Sequence, residues 1–219
     1  MKKSVYSLVL MDDVVQAVDD LASRMGTSRS NLINQILAEH VSLSPPEKRM
    51  KDIFSSLEEL MDETFQVQTQ SAASMLSIRS PLRYKYKPTI RYSVELYAVP
   101  ENAVGKLRVS LRTQNAQLLQ SLTDFFQIWA TLENHYLHRY FPQGIRWEAA
   151  DGKFTRELMF PPGKEEVTSE ELGNTNASYI QMLDAVMKTY FAALDSPTTA
   201  AVQAENMYRQ YLQNRSTGI

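Results

Sequence analysis

The sequence contains no cysteine, only seven glycines in 219 residues, and no long run of apolar residues. The lack of cysteine excludes disulfides, thiolate metal sites and cysteine nucleophiles, and it fits a reducing compartment. No segment approaches the roughly 18 consecutive apolar residues that a membrane span needs. Asp12 also interrupts the N-terminus before a secretory apolar region could form. We therefore expect a cytoplasmic protein that has no membrane partner.

A strong overall charge is lacking too. Lysine and arginine total 23 against 25 aspartates and glutamates, and this net charge of −2 gives no general signature of nucleic-acid binding. Between residues 76 and 115, however, eight bases outnumber two acids, Glu95 and Glu101, which is a local excess of +6. The bases are Arg79, Arg83, Lys85, Lys87, Arg91, Lys106, Arg108 and Arg112.

The first 43 residues carry the pattern of one strand followed by two helices. Residues 4–10 are rich in β-branched, aromatic and aliphatic side chains and are too few for a stable helix, so they predict a strand. Asp12 favours the start of a helix that ends at Gly26, and Ser28 is a good N-cap for a second helix. The second helix is expected to bury Leu32, Ile33, Ile36, Leu37 and Val41.

One strand and two short helices cannot bury these apolar faces alone, since a lone strand needs a partner and so small a core is marginal. Dimerisation solves both problems. If two copies pair their strands antiparallel about a two-fold axis, each strand supplies the hydrogen bonds of the other, and the helices close over the inner face. Tyr6, Leu8 and Leu10 then point inward, and the outer face carries Lys3, Val5, Ser7 and Val9.

This N-terminal pattern resembles the ribbon-helix-helix repressors of the Arc, MetJ and CopG type over residues 3–43. The resemblance is carried by SVYSLVL, by MDDVVQAVDDLASRMG and by TSRSNLINQIL, with GTSRS similar to the Gly-x-Ser-x-Ser turn of the family. It implies that the paired strands enter the major groove and that the second helix holds a phosphate on its first amides. The implied base-facing residues are Lys3, Val5, Ser7 and Val9, and the implied phosphate contacts are Lys2, Ser28, Arg29 and Ser30.

The chain departs from the family at two places. Met11 stands where proline is usual, and Val5 and Val9 stand where the family commonly has polar side chains. Valine offers only apolar contact, for example to thymine methyl groups, so we expect specificity to come from Ser7, Lys3, neighbouring operator copies or DNA shape. The alternative is that this module only dimerises.

Residues 44–76 are predicted to form a connector helix. Ser44, Pro45 and Glu47 suit a capped helix start, and apolar residues recur at helical spacing as far as Leu76. Such a helix could pair with its copy in a dimer or pack onto its own C-terminal domain. The chain is thus divided into an N-terminal module (1–43), a connector (44–76) and a C-terminal domain (77–219).

The C-terminal domain is predicted to be α+β, with an antiparallel sheet built from two hairpins and with three helices. Alternating residues 88–98 and 106–112 form one hairpin, and residues 145–150 and 154–160 flank Asp151-Gly152 in the other. The helices span about 115–140, follow Thr168 and follow Ser196-Pro197. No family resemblance is identified for this domain.

The first hairpin turns Arg91 and Arg108 outward, and Arg112 continues the alternation. This possible secondary basic face could meet DNA, an anionic ligand or an acidic partner, or it could simply be a solvated sheet face. On the first helix, Glu133 falls on the apolar side, where a carboxylate would need a partner such as an interior arginine or a ligand. The simpler expectation is that the helix end frays and Glu133 reaches solvent.

The sequence contains no motif typical of a metal site or of a catalytic site. His135 and His138 are spaced for metal binding but face away from the apolar stripe without a third ligand nearby, so we expect no metal site and no cofactor. There is no glycine-rich phosphate loop and no Gly-x-Ser-x-Gly, so we expect no catalytic residues and no enzyme activity.

The leading hypothesis is therefore a homodimeric repressor that binds double-stranded DNA, either as the dimer or as a higher oligomer on the DNA. Its C-terminal domain would sense a small molecule, oligomerise or bind a protein effector. A plasmid or mobile-element copy-control or partition protein would use the same DNA chemistry. A dimeric, antitoxin-like protein-binding module without DNA affinity is the third possibility.

Overall fold

The structure is a computed structural model that describes residues 7–40, 46–84, 87–163 and 166–214. The protein is mixed α+β, with six helices and one antiparallel six-stranded sheet in the described ranges. The chain divides into two compact units, Met1–Arg49 and Met50–Ile219. The first unit contains the two helices predicted for the N-terminal module, and the second unit contains the sheet.

The first unit contains two helices, α1 (Asp12–Arg24) and α2 (Arg29–His40). Gly26 adopts a left-handed φ of 62°, and the amide of Thr27 returns to the carbonyl of Ala22 at 3.0 Å, which ends α1 as predicted. Ser28 Oγ accepts a hydrogen bond from the amide of Asn31 at 3.2 Å, so the predicted N-cap of α2 is confirmed.

The predicted strand at residues 4–10 falls partly outside the described residues. Its described part, from Ser7 onward, runs into α1 without forming a hydrogen-bonded strand in the single chain. Met11 is extended, with φ −65° and ψ 143°, immediately before α1 begins. The pairing of two strands into a ribbon stays a prediction, because it requires a second copy.

The predicted connector helix is wrong beyond Glu59. Helix α3 spans only Pro46–Glu59, and a turn follows in which the amide of Thr64 donates to Asp62 Oδ1 at 2.8 Å. The chain then forms a hairpin of two strands, β1 (Gln66–Thr69) and β2 (Met75–Pro81). Because β2 also pairs with the next strand, the apolar residues that seemed to extend a helix are buried by long-range sheet pairing instead.

The six strands form one sheet in the order β1-β2-β3-β4-β6-β5, with every pair antiparallel. The two predicted hairpins are confirmed, and the β1-β2 hairpin is an addition. At the turn between β5 and β6, Asp151 and Gly152 both have positive φ, as the predicted two-residue turn requires. The remaining strands are β3 (Thr89–Leu96), β4 (Ala103–Leu111), β5 (Trp147–Ala150) and β6 (Lys153–Met159).

Three further helices follow the predicted positions: α4 (Ala116–Leu137), α5 (Ser169–Ala192) and α6 (Pro197–Asn214). Thr168 and Glu171 form the predicted capping box at the start of α5. The buried sides of α3 to α6 form one hydrophobic core with the inner face of the sheet. Trp129 is fully buried in this core, and its indole nitrogen donates to the Tyr179 hydroxyl at 2.9 Å.

Helices α3 and α5 approach each other closely at Gly173. A Cβ added there would lie 2.5 Å from the carbonyl oxygen of Ile53 and 2.6 Å from Ser56 Cβ. Gly173→Ala therefore has two opposing effects on the free energy of unfolding. The higher helix propensity of alanine adds about 1 kcal/mol, and overpacking typically costs about 1–3 kcal/mol. Because a backbone atom is among the contacts, we expect a net loss of stability in urea unfolding.

Asn174→Ala, at the next and less buried position of α5, is the matched control and should be neutral or slightly stabilising. An increase in stability for Gly173→Ala would show that the two helices are not in contact here.

Candidate nucleic-acid interface

The segment that precedes α1 presents its side chains to solvent. Val9 is fully exposed at 102%, and Leu8 is 54% exposed. Ser7 is exposed as well, so of the predicted base-facing residues Ser7 and Val9 are accessible. Lys2, Lys3 and Val5 lie outside the described residues. A fully exposed valine beside an exposed leucine is an unusual surface, because both side chains favour burial.

The first unit buries very little. Within its described residues, only Ala22 and Leu32 are buried hydrophobic side chains. Ile36 and Leu37, which were predicted to be buried, are exposed in the single chain. The prediction fails for one chain because α1 alone does not cover the apolar side of α2. Other large apolar side chains exposed in this unit are Leu8, Val9, Leu10, Met11, Val14 and Met25.

The start of α2 carries the residues predicted to contact phosphate. Ser28, Arg29 and Ser30 are all exposed. The first turn of α2, which lies within the described residues, contains no acidic residue, and the first amides of any helix lack intrahelical acceptors. These amides can therefore bind an anion, which the helix dipole also favours.

The side chain of Arg29 is engaged in the free chain. Its Nε and Nη2 donate to the two carboxylate oxygens of Asp19, which ties the start of α2 to α1. The hydrogen bonds to Asp19 and the negative charge of its carboxylate raise the pKa of Arg29 above its ordinary value. A phosphate at this position would have to compete with Asp19 for the guanidinium or bind to the amides alone.

In the second unit, the strand register settles which residues share the open face of the sheet. Arg79 lies opposite Arg91, Arg91 opposite Ser110, and Ser110 opposite Lys153. In the neighbouring row, Arg108 lies between Ser93 and Thr155. Arg112, which directly follows β4, is exposed. The structure thus places the predicted Arg91 and Arg108 near each other on this face. It also adds Arg79 and Lys153, which the alternation of inward and outward residues along β2 and β6 could have indicated.

A third row on the same face is neutralised. Glu95 lies opposite Lys106, and Lys106 lies opposite Glu157. Lys106 Nζ is 3.0 Å from Glu95 Oε2. Exposed arginine and lysine side chains without acidic neighbours are therefore confined to one end of the sheet face.

The interior holds the partner that Glu133 requires. Glu133 and Arg156 are 2% and 4% exposed, and Arg156 Nε donates to Glu133 Oε2 at 3.1 Å. The other carboxylate oxygen is 3.0 Å from Arg156 Nη2, without hydrogen-bond geometry. The Arg156 guanidinium also lies 4.2 Å from the ring centroid of Tyr179. The expectation that Glu133 reaches solvent is wrong, because β6 directs Arg156 to the same place in the core.

Burial alone would lower the pKa of Arg156, but the Glu133 carboxylate more than offsets burial, so the pKa lies above its ordinary value. Burial raises the pKa of Tyr179 as well. The Arg156 guanidinium therefore stays charged at neutral pH. Because Glu133 and Arg156 are ion-pair partners, the Glu133 carboxylate needs no ligand to compensate its charge.

An open groove of about 780 Å³ lies at the end of the β3-β4 hairpin. Tyr97, Tyr140 and Phe160 line it together with Arg146 and Glu157. Two other aromatic residues of this domain, Tyr92 and Trp129, are fully buried in the core. The described residues contain no group of three or more metal-ligating side chains, and His138 borders only a smaller cavity of about 240 Å³.

Glu133→Gln should destabilise the protein by about 3–5 kcal/mol, because it leaves Arg156 charged and uncompensated in the core. The double variant Glu133→Leu/Arg156→Met removes both charges and should recover much of this loss. Equilibrium unfolding in urea measures both. A loss of less than about 1 kcal/mol in the single variant would indicate a pair accessible to water.

Comparison with known proteins adds no relative. No protein-family model matches the chain, and neither the curated proteins nor the solved structures contain a match. None of the helices in the described ranges is long and apolar enough to cross a membrane.

Proposed function

We propose that the protein is a homodimeric transcriptional regulator, most simply a repressor, that binds double-stranded DNA through a ribbon-helix-helix module at its N-terminus. The observation that carries this proposal is the exposure of Leu8, Val9 and Leu10 next to two helices that bury only two apolar side chains of their own. A surface of this kind requires a partner. A second copy of the same segment is the partner that the pattern fits best.

In the proposed dimer, residues 4–10 of the two copies pair as antiparallel strands. Side chains alternate across a strand, so Leu8 and Leu10 turn inward beneath the helices, while Ser7 and Val9 turn outward. Ile36 and Leu37, exposed in one chain, close the inner side of the dimer. The two-stranded ribbon then has the width that the major groove admits.

Affinity for DNA would come from the start of α2 and from charged side chains near it. The free amides of Arg29 and Ser30 bind one phosphate per protomer, and the Arg29 guanidinium strengthens the contact if it leaves Asp19. Base contacts from Ser7 and Val9 would select the sequence. The second unit, with its groove at the β3-β4 hairpin, would sense a ligand, oligomerise dimers or bind a protein.

Leu8→Ser and Val9→Ser make the same chemical change on adjacent residues that face opposite sides of the proposed ribbon. Leu8→Ser should weaken dimerisation by about a hundredfold or more, since each copy loses the burial of a leucine worth about 1.5–3 kcal/mol. Val9→Ser should leave the dimer intact and change the selected DNA sequence. Sedimentation over a range of concentrations, and selection from a random duplex pool, measure the two effects.

The two variants are each other's control. If Leu8→Ser dimerises as tightly as the parent, or if Val9→Ser loses the dimer instead, the predicted face assignment is incorrect. If both variants select the same DNA as the parent, the ribbon does not read bases.

Arg29→Gln and Asp19→Asn test the phosphate contact from opposite sides. Arg29→Gln removes a cation from the start of α2 and should weaken binding to every duplex, about tenfold at moderate salt, with a salt slope shallower by about one. Asp19→Asn removes the competing carboxylate and should tighten binding. Anisotropy titrations of labelled duplex at several salt concentrations measure both.

Equal affinities for the two variants would mean that Arg29 only joins the helices. If in addition no duplex bound the parent protein even at low salt, the module would serve dimerisation without DNA, as in an antitoxin-like partner protein.

A further inference from the structure

We propose that the open face of the sheet in the second unit is a second DNA-binding surface that contacts the phosphate backbone of duplex DNA irrespective of sequence. We call it the basic face and define it by Arg79, Arg91, Arg108 and Lys153. The proposal rests on the proposed function, because it assumes that the natural ligand of the protein is duplex DNA.

The placement of like charges across the strands is the first argument. Arg79 and Arg91 are directly opposite each other in adjacent antiparallel strands. Like charges in this arrangement destabilise a sheet. Arg91 and Arg108 are exposed, and none of the four basic side chains has an ion-pair partner within the described part of the chain. An anion bound across the strands would relieve the repulsion.

The third row of the same face is an internal comparison. There the two strands that carry Arg91 and Arg108 pair Glu95 with Lys106, and the ion pair is formed at 3.0 Å. A face that only needs to be solvated can therefore be neutralised by this sheet. At the basic face, Arg108 lies between Ser93 and Thr155, and Ser110 lies between Arg91 and Lys153. The two rows contain one acid, Glu148, in the edge strand β5.

The side chains of the basic face suit phosphate more than any other ligand. Arginine, lysine, serine and threonine are the side chains that commonly contact DNA phosphates. They are interleaved here, because Ser93, Ser110 and Thr155 lie on the same face as the basic side chains. The two rows carry no aromatic side chain, so the face lacks the stacking platform that single-stranded RNA or DNA requires.

An acidic protein is the less suitable partner. Protein interfaces depend on buried aromatic or aliphatic anchors. In the two rows of the basic face, the registered residues are arginine, lysine, serine, threonine, glutamine and glutamate, apart from Ala150. Phosphate recognition needs no such anchors, and it provides affinity without sequence preference.

The test compares two triple variants of the full-length protein that lose the same number of charges. The face variant is Arg79→Gln/Arg91→Gln/Arg108→Gln. The control variant is Lys51→Gln/Arg139→Gln/Arg209→Gln, which removes three exposed cations from the helices and from the α4 end. Affinity for a duplex of arbitrary sequence is measured from about 50 to about 200 mM salt, where counterion release dominates.

We expect the face variant to bind about tenfold more weakly or worse, with a slope of log affinity against log salt that is shallower by about 2–3. The control variant should keep the slope of the parent. The charge-conserving variant Arg91→Lys/Arg108→Lys should also keep it. Thermal melting of the face variant should be unchanged or higher, since Arg79 and Arg91 no longer repel each other, and this separates lost contacts from lost folding.

The proposal is overturned if the face variant and the control variant show the same slope while binding to the selected DNA sequence persists, an outcome that leaves the ribbon intact. It is equally overturned if the face variant loses affinity for single-stranded RNA or an acidic peptide but keeps its affinity for duplex. Conversely, duplex binding without sequence selection that still depends on Arg91 and Arg108 would support the basic face and refute the ribbon.

Discussion

Every feature of the second unit depends on the sheet having one apolar face that helices must cover. The register brings Ile78, Tyr92, Val109 and Phe154 into one buried row, and Phe126 of α4 stacks on Phe154 at the inner side of the sheet. Burial of such side chains is worth about 1.5–3 kcal/mol each. Because strand residues alternate, this requirement also fixes which residues remain outside. The position of Arg91 and Arg108 on the solvent side thus follows from the packing of the core.

Among the residues described in one chain, the first unit has no comparable element that covers its apolar side chains. Its two helices are well delimited by Gly26 and by the Ser28 cap, yet they leave Ile36 and Leu37 exposed. Local signals therefore define the helices, while the apolar surface remains to be covered. If the module dimerises as proposed, its folding is coupled to association, and the protein concentration would then control how much binding-competent module exists.

Local patterns in the sequence predicted most of the elements but not the contacts between distant ones. Asp151-Gly152 and the Thr168-Glu171 box are short-range signals, and both appear as predicted. The hairpin after Glu59 was missed because the apolar residues as far as Leu76 also fit a helical period, and only pairing of β2 with β3 decides between the two. The ion pair of Glu133 could not be assigned without the register of β6. Contacts with DNA would depend on a second chain and a ligand, which no single-chain pattern contains.

The outermost strands of the sheet, β1 and β5, are only four residues long. A strand that ends so soon offers few free backbone groups for another molecule to extend. Aggregation by edge-to-edge pairing of sheets is thereby disfavoured. If many copies gather on one stretch of DNA, the crowded second units can approach each other without fusing edge to edge, so assembly remains reversible when the DNA is released.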